Sequence, residues 1–225
     1  MPSLSRWSFK NIFFVSLTVV LFTGRSDASG KIAVSINVTG ASNTKCDVIP
    51  NVTCYWVQAR PRFSKKSEVI GSAVNGSTAD EFNQHFAERV QPYYDRKSRY
   101  KILALQTGGN DILANASATV TFENLKAIVS KWKALGPRSF AVIATVPRFG
   151  YSLAQLTEAD KLNQLILSER DFSATFDIAG IPDLNYGTGC PPVNLSPDCS
   201  HLTTAGNKLV SKLFVTAINS VLGSL

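Results

Sequence analysis

A histidine stands three residues after an aspartate near the end of the chain, in the tetrapeptide D-C-S-H at positions 198–201. The chain has only two histidines, and imidazole is the side chain best suited to take and return a proton near neutral pH. A carboxylate on the second ring nitrogen would fix the tautomer and stabilise the imidazolium. Asp198 and His201 are therefore candidates for the orienting acid and the general base of a nucleophilic site. The alternative interpretation is that D-x-x-H is accidental and His201 caps a surface helix.

A base of this kind needs a nucleophile, and other chemistry-bearing residues follow predicted strands. Alternating or continuous apolar runs predict strands at 31–39, 68–74, 100–106, 140–146 and 174–178. Ser42 follows the first strand, Gly76 the second, Asn110 the third and His201 the fifth. Ligands of open α/β sheets bind outside the carboxyl ends of the strands. The four residues should therefore meet at one edge of the sheet.

The segments between these strands have helical patterns. Helices are predicted at 55–60, 78–91, 122–135, 157–170 and 203–222, the second capped by Thr78 with Glu81 and the fourth by Thr157 with Asp160. Strands that alternate with helices indicate a parallel sheet covered on both faces. The sequence therefore predicts one domain with a three-layer α/β/α sandwich of about five parallel strands.

Each residue at that edge can be given a chemical role. The Ser42 hydroxyl lies in a glycine-led turn and would be the nucleophile. His201 would take its proton, and Asp198 would orient His201. The oxyanion of a tetrahedral intermediate would be stabilised by the Asn110 side-chain amide and by the backbone N–H groups of Gly76 and Ser42.

These residues resemble the four sequence blocks of the SGNH hydrolases, also called GDSL esterases and lipases. G-A-S-N-T at 40–44 resembles the nucleophile block G-D-S-x-T, and V-N-G-S-T at 74–78 resembles the glycine block. G-G-N-D at 108–111 is similar to G-x-N-D, and D-C-S-H is similar to D-x-x-H. The resemblance covers essentially the whole chain after the N-terminal segment. It implies a flavodoxin-like sandwich and ester hydrolysis through an acyl-serine, with no metal or other cofactor.

The first block departs from the family pattern, because Ala41 stands where the aspartate is usual. A rival register aligns S-I-N-V-T at 35–39 with the block, which would put Asn37 in place of the nucleophile and make an inactive protein. The Ser42 register keeps the glycine, serine and threonine of the block, whereas the rival keeps only the threonine. It also leaves a full strand before the turn, so we prefer it.

The N-terminus has the layout of a secretory signal peptide. A basic start precedes an eleven-residue apolar run at 12–22 and a small-x-small site at 26–28. We therefore expect a signal peptide at 1–28 and the hydrolase-type domain at 29–225, secreted or periplasmic. The apolar run is short for a membrane span, and an uncleaved anchor is the alternative to a signal peptide. No stable span is expected after cleavage. Four cysteines in an exported chain suggest two disulfides. Of the three possible pairings, we favour the local ones, Cys46–Cys54 and Cys190–Cys199.

The formal net charge is +7, and the basic residues are scattered. Nucleic acid is therefore not an expected partner. The first hypothesis is an exported serine ester hydrolase, a monomer that acts on a small-molecule or carbohydrate ester with a small acyl or acetyl group. The second is an inactive secreted binding protein on the same fold, and the third is an O-acyltransferase that uses an acceptor other than water.

Three further residues receive structural interpretations. His85 is expected on a solvated helix face, and Asp111 is expected to cap the segment that follows it. Arg148 follows the fourth strand, where it would either bind an acidic substrate group or form a surface salt bridge.

Overall fold

Five parallel β-strands form the central layer of the protein, in the order β2-β1-β3-β4-β5. The computed structural model describes residues 33–148, 150–184 and 193–225. The predicted signal peptide, 1–28, lies outside these residues, as does Cys190. The strands are β1 Val34–Gly40, β2 Ser67–Ala73, β3 Tyr100–Gln106, β4 Ser139–Ala144 and β5 Ala174–Phe176. All five predicted strands and the predicted parallel sheet are confirmed.

Eight α-helices connect and cover the strands in the described ranges. They are α1 Ser42–Lys45, α2 Tyr55–Ala59, α3 Ala79–Gln84, α4 Phe86–Arg89, α5 Gly109–Leu113, α6 Ala118–Ala134, α7 Leu153–Ser168 and α8 Thr204–Gly223. Short 3-10 turns occur at Arg60–Arg62, Gln91–Tyr93 and Pro182–Leu184.

Two hydrophobic clusters, one on each face of the sheet, complete a three-layer sandwich. On one face α2 and α8 pack on the strands through a cluster that includes Tyr55 and Phe214. On the other face α3, α6 and α7 pack through a cluster that includes Phe82, Trp132 and Ile166. Apolar side chains from both faces of β3 are fully buried, as expected for a strand covered on both sides. The predicted α/β/α class is therefore confirmed.

The register of the sheet brings the ends of three strands level with one another. Gly40 at the end of β1 pairs with Ala73 of β2 and with Gln106 of β3. Each strand is followed at once by a turn and a helix, so these turns share one edge of the sheet.

Three predicted helices differ from the observed ones. Helix α6 begins at Ala118 and not at the predicted 122, because the Ser117 side chain caps it by accepting from the Val120 N–H. The pattern at 78–91 forms two short helices, because His85 leaves the helical region (φ −100°, ψ 31°). Phe82 and Phe86 are buried in the same cluster on either side of this break, so periodicity alone does not reveal it. Helix α7 begins four residues before the predicted Thr157, because Ser152 and Gln155 form a complete capping box.

Candidate active site

Ser42 is the first residue of α1, immediately after the turn that ends β1. A side chain at Gly40 would collide with the Thr44 side chain and with the Gln106 carbonyl. Glycine therefore lets β1 turn into α1 tightly against β3. The Ala41 N–H donates to the Gln106 carbonyl at 3.3 Å, which fixes the turn. As the first helical residue, Ser42 has a backbone N–H with no acceptor inside the helix.

Asp198 uses its two carboxylate oxygens for different tasks. Oδ1 accepts hydrogen bonds from the backbone N–H groups of Ser200 at 2.9 Å and His201 at 3.1 Å. The Ser196 hydroxyl also donates to Oδ1. These bonds orient the carboxylate so that Oδ2 lies 2.7 Å from His201 Nδ1. The three-residue spacing of D-x-x-H therefore produces a local turn that presents one oxygen to the imidazole.

The environment of Asp198 keeps the carboxylate charged. Partial burial raises the pKa of Asp198, but the hydrogen bonds from Ser196, from the Ser200 N–H and from His201 outweigh that effect. The net result is a pKa below the ordinary value of an aspartate. Asp198 is thus ionised and accepts the Nδ1 proton of His201.

His201 joins this carboxylate to Ser42. His201 Nε2 lies 3.0 Å from Ser42 Oγ, although the two residues are 159 positions apart. With the Nδ1 proton donated to Asp198, Nε2 is free to accept a hydrogen bond from the Ser42 hydroxyl. The imidazole is well covered, since its side chain is 20% exposed, whereas that of Asp198 is 43% exposed. Ser42, His201 and Asp198 therefore form a continuous hydrogen-bonded chain.

Asn110 lies beside this chain, at the start of α5. Its Nδ2 donates to the Ser77 carbonyl at 3.0 Å, which fixes the amide orientation, and an amide nitrogen has a second proton for another acceptor. Asn110 and Ser42 line the same cavity. The structure therefore brings Asn110 to the candidate nucleophile.

Gly76 has the positive φ of 74° that its turn requires. The turn is tied to the end of β1 and to α5, because Val74 N–H donates to the Gly40 carbonyl at 3.0 Å and the Ser77 carbonyl accepts from Asn110. Gly76 is itself exposed and is not one of the residues that line the cavity. The structure therefore places Gly76 next to the site, and its predicted role as a donor stays a prediction.

A cavity of about 250 Å³ opens beside Ser42 and His201. Its walls come from the turns after β1, β3 and β4 and from the loop before α8. Tyr151 closes part of the apolar wall, and its hydroxyl donates to the Gly109 carbonyl at 3.3 Å. Burial, together with the nearby Asp111 carboxylate, raises the pKa of Tyr151, so the phenol is neutral. The lining residues are Ala41, Ser42, Asn43, Gln106, Thr107, Gly109, Asn110, Leu113, Thr145, Val146, Pro147, Tyr151, Ser200 and His201.

Two asparagines that the sequence analysis did not single out hold the segment around His201. Asn43 binds backbone groups on both sides of His201. Asn207, which is 1% exposed, donates to the Leu202 and Thr203 carbonyls and accepts from Tyr55 N–H. The sequence carried no signal for these roles beyond the closeness of each asparagine to a predicted site block.

Asn37, the nucleophile position of the rival register, lies inside β1 and is 1% exposed. Its Oδ1 accepts from the Ser72 hydroxyl of the neighbouring strand at 2.8 Å. The structure thus places Asn37 within the sheet and away from His201.

The remaining sequence-based interpretations differ in their outcomes. The disulfide Cys46–Cys54 is present, whereas the pairing of Cys190 with Cys199 stays a prediction. His85 is solvated, as expected, and Arg148 forms a salt bridge with Asp160. The expectation for Asp111 is wrong, because this carboxylate accepts from the Ala79 N–H at the start of α3, at 2.8 Å. Asp111 therefore joins α5 to α3 instead of capping the segment that follows it.

In the same described ranges, no three histidine, cysteine or acidic side chains cluster as metal ligands would. Nor is any helix in those ranges long and apolar enough to cross a membrane.

No protein-family profile matches the sequence, and no curated protein matches it significantly. Solved structures do match. They include TesA (TM-score 0.64, 12% identity, 83% of this chain and 99% of that chain) and a G-D-S-L family lipolytic protein from Veillonella parvula (TM-score 0.65, 12%, 83% and 99%). An acetylxylan esterase, Axe2 from Geobacillus stearothermophilus, matches with a TM-score of 0.63 and 16% identity over 84% of this chain and 96% of that chain.

At these identities the similarity concerns the fold. The chain has the three-layer α/β/α fold of the solved GDSL, or SGNH, esterases, and the resemblance drawn from the four sequence blocks is confirmed at that level.

Proposed function

We propose that the protein is an exported serine ester hydrolase that acts on a small acyl ester, with acetyl groups on carbohydrate as one target class. The observation that carries this proposal is the hydrogen-bonded chain from Asp198 through His201 to Ser42. The distances are 2.7 Å at His201 Nδ1 and 3.0 Å at His201 Nε2. A serine, a base and an orienting carboxylate in this order are what acyl transfer through serine requires.

In the first half of the reaction, Ser42 Oγ attacks the carbonyl carbon of the ester while His201 Nε2 takes the hydroxyl proton. Negative charge develops on the carbonyl oxygen, where the Asn110 amide and the Ser42 N–H donate. The intermediate collapses to an acyl-serine as the alcohol leaves with the proton from His201. In the second half, water attacks the acyl carbon while His201 Nε2 takes a proton from it. His201 then returns that proton to Ser42 Oγ as the acyl–serine bond breaks and the free acid leaves.

The size of the cavity supports a small acyl group. About 250 Å³ corresponds to roughly eight water volumes of about 30 Å³ each. A two- or three-carbon acyl group and the first atoms of the alcohol fit this space. The apolar side chains of Leu113 and Tyr151 lie along this space.

Export is supported by the signal-like segment 1–28 and by the disulfide Cys46–Cys54, because disulfides persist mainly in oxidising compartments. The solved Axe2 structures are of an acetylxylan esterase, which makes acetylated glycans a reasonable first set of substrates.

The test is hydrolysis of p-nitrophenyl acetate by the purified protein and by two variants. Ser42→Ala and His201→Ala should each abolish turnover, because they remove the nucleophile and the base. Ser220→Ala, on the exposed face of α8, should keep wild-type activity and serves as the matched control. Unchanged turnover in folded Ser42→Ala protein would contradict the proposal.

A fluorophosphonate probe separates this proposal from the two other hypotheses. An active serine should be labelled at Ser42, whereas a binding protein without catalysis should not be labelled. Adding acceptor sugars to the reaction and measuring acylated product separates transfer to sugars from transfer to water.

A further inference from the structure

Asn43 spans the base of the proposed site with a single side chain. Its Nδ2 donates to the Ser200 carbonyl at 3.0 Å, and its Oδ1 accepts from the Leu202 N–H at 2.9 Å. Ser200 and Leu202 are the two neighbours of His201 in the chain. The Asn43 amide thus binds the backbone on both sides of His201, and this fixes which end of the amide is the donor.

Apart from the contact between His201 and Ser42, the other hydrogen bonds described here shape the loop or join it to elements other than α1. Asp198 Oδ1 holds the Ser200 and His201 N–H groups, and the Ser196 N–H donates to the His201 carbonyl at 2.8 Å. Asn207 holds the Leu202 carbonyl from the start of α8. Asn207 also accepts from the Tyr55 N–H, so it joins the loop to α2.

Asn43 directly follows Ser42 in α1. Its two bonds therefore tie the base loop to the residue next to the nucleophile. The covalent link from Ser42 to Asn43 and the two backbone bonds close a short ring that includes the 3.0 Å contact between His201 Nε2 and Ser42 Oγ. A small displacement of His201 would lengthen that contact.

We propose that Asn43 is a positioning residue that sets the distance and orientation of His201 relative to Ser42; the inference rests on the proposed function of this site. The Asn43 acceptor and one of its amide protons are used by the protein backbone. Its expected contribution is therefore to the proton transfer between Ser42 and His201.

The first test compares kcat and KM for p-nitrophenyl acetate in Asn43→Ala and Asn43→Leu. Both variants remove the two bonds, and leucine keeps a similar volume, so agreement between them assigns the effect to hydrogen bonding. A misplacement of about 1 Å can slow a reaction by about 10²-fold. We expect kcat to fall by roughly 10- to 100-fold while KM stays within about twofold of the wild type.

A second readout needs no substrate. The Nδ1 proton that His201 shares with Asp198 should give a downfield proton NMR signal, which is identified by its loss in His201→Ala. In the Asn43 variants this signal should shift or broaden, because the loop is no longer fixed to α1. Asn83→Ala is the control, since Asn83 bonds Asn124 and Lys131 far from the site and its loss should leave signal and kcat unchanged.

Three results would overturn the inference. The first is a kcat within threefold of the wild type in both folded Asn43 variants. The second is a rise in KM without a fall in kcat, which would make Asn43 a substrate-binding residue. The third is an unaltered His201 signal in both variants. If the wild-type protein itself hydrolyses no ester, the proposed function fails, and the NMR comparison still decides whether Asn43 positions His201.

Discussion

At the scale of single residues, the two carboxylate oxygens of Asp198 have different roles, one in the structure of the loop and one in the proposed chemistry. Oδ1 holds the turn through two backbone N–H groups, and Oδ2 faces the imidazole. An amide at this position would keep an oxygen for the turn but would turn an N–H₂ group toward His201 Nδ1. The effect of the carboxylate on the imidazole can therefore be measured without unfolding the loop.

The predicted consequence of Asp198→Asn is a fall in kcat of about 10⁴-fold, the size seen when an orienting aspartate of a serine triad becomes asparagine. The new amide donates to Nδ1, so the imidazole proton moves to Nε2. Nε2 then cannot accept the proton of Ser42. Steady-state kinetics with p-nitrophenyl acetate measure the loss. Asp171→Asn, on an exposed turn, is the control and should have the wild-type kcat. A wild-type kcat in Asp198→Asn as well would show that Asp198 does not control the tautomer of His201.

Residue types and their order along the chain were enough to propose Ser42, Asn110, Asp198 and His201 from the sequence. The D-x-x-H spacing indicates a local turn, and parallel strands send the other residues to the same edge. The roles of Asn43 and Asn207 were not predictable, because each depends on contacts between segments more than 150 positions apart.

At the scale of elements, the turns that follow the strands form the walls of the cavity. The turn after β4 supplies Thr145, Val146 and Pro147, and Tyr151 just before α7 completes that wall. Strand positions were predicted well, because continuous burial leaves a clear apolar run. The ends of elements were predicted less well. β5 stops at Phe176, where Asp177 turns to accept hydrogen bonds from Thr145 and Gly180, and such side-chain bonds leave little trace in apolar periodicity.

The predicted consequence of Tyr151→Ala is a wider acyl specificity. Removing the ring opens the wall between Gly109 and Pro147, so a longer acyl chain gains apolar contact. One methylene group in an apolar pocket changes the ratio of kcat/KM between two substrates by about 10-fold or more. We therefore expect the ratio of kcat/KM for p-nitrophenyl hexanoate over acetate to rise by at least about tenfold.

Tyr93→Ala is the matched control for this change, since Tyr93 is partly exposed and lies in the turn after α4. The ratio of kcat/KM for the hexanoate ester over the acetate ester in this variant should equal that of the wild type. An unchanged ratio in Tyr151→Ala would show that another wall limits the acyl group. A loss of activity on both esters in equal measure would show that Tyr151 supports the site without selecting the substrate.

At the scale of the whole molecule, the parallel topology explains why residues of four weak sequence blocks meet at one edge of the sheet. The blocks span positions 40 to 201, and the sheet order places β1 between β2 and β3. Class and connectivity follow from the alternation of apolar strands and helices. The packing distances do not, because they depend on close approaches such as that of the Gly40 backbone to the Thr44 side chain and to the Gln106 carbonyl.

The pH dependence of stability reports on two carboxyl groups with opposite shifts. Burial raises the pKa of Asp111, which is 3% exposed. Burial also acts to raise the pKa of Asp95, but hydrogen bonds from the Ser98 hydroxyl and from the Lys97 and Ser98 N–H groups outweigh it and leave this pKa lowered. Because the pKa of each group differs between the folded and the unfolded chain, the free energy of unfolding depends on pH through both groups.

For Asp111, the folded protein holds its proton at pH values where the unfolded chain has lost it. The free energy of unfolding therefore decreases as pH rises from the ordinary aspartate value through the raised one. For Asp95 the sign is reversed. Its stabilisation is present above the ordinary value and is lost as pH falls through the lowered one.

Asp111→Asn and Asp95→Asn should consequently change stability in opposite directions as pH increases. Relative to the wild type, Asp111→Asn should gain stability on going from acid to neutral pH, because it removes the cost of ionising a buried group. Asp95→Asn should lose stability over the lower part of the same range. Urea denaturation at a series of pH values measures the stability difference between each variant and the wild type. The slope of that difference against pH is unaffected by any pH-independent change in stability that the amide introduces. Parallel slopes for the two variants would show that the Asp111 carboxyl is solvated in the folded protein. Opposite slopes would show that the link from α5 to α3 beside the candidate site is kept at the expense of stability at neutral pH.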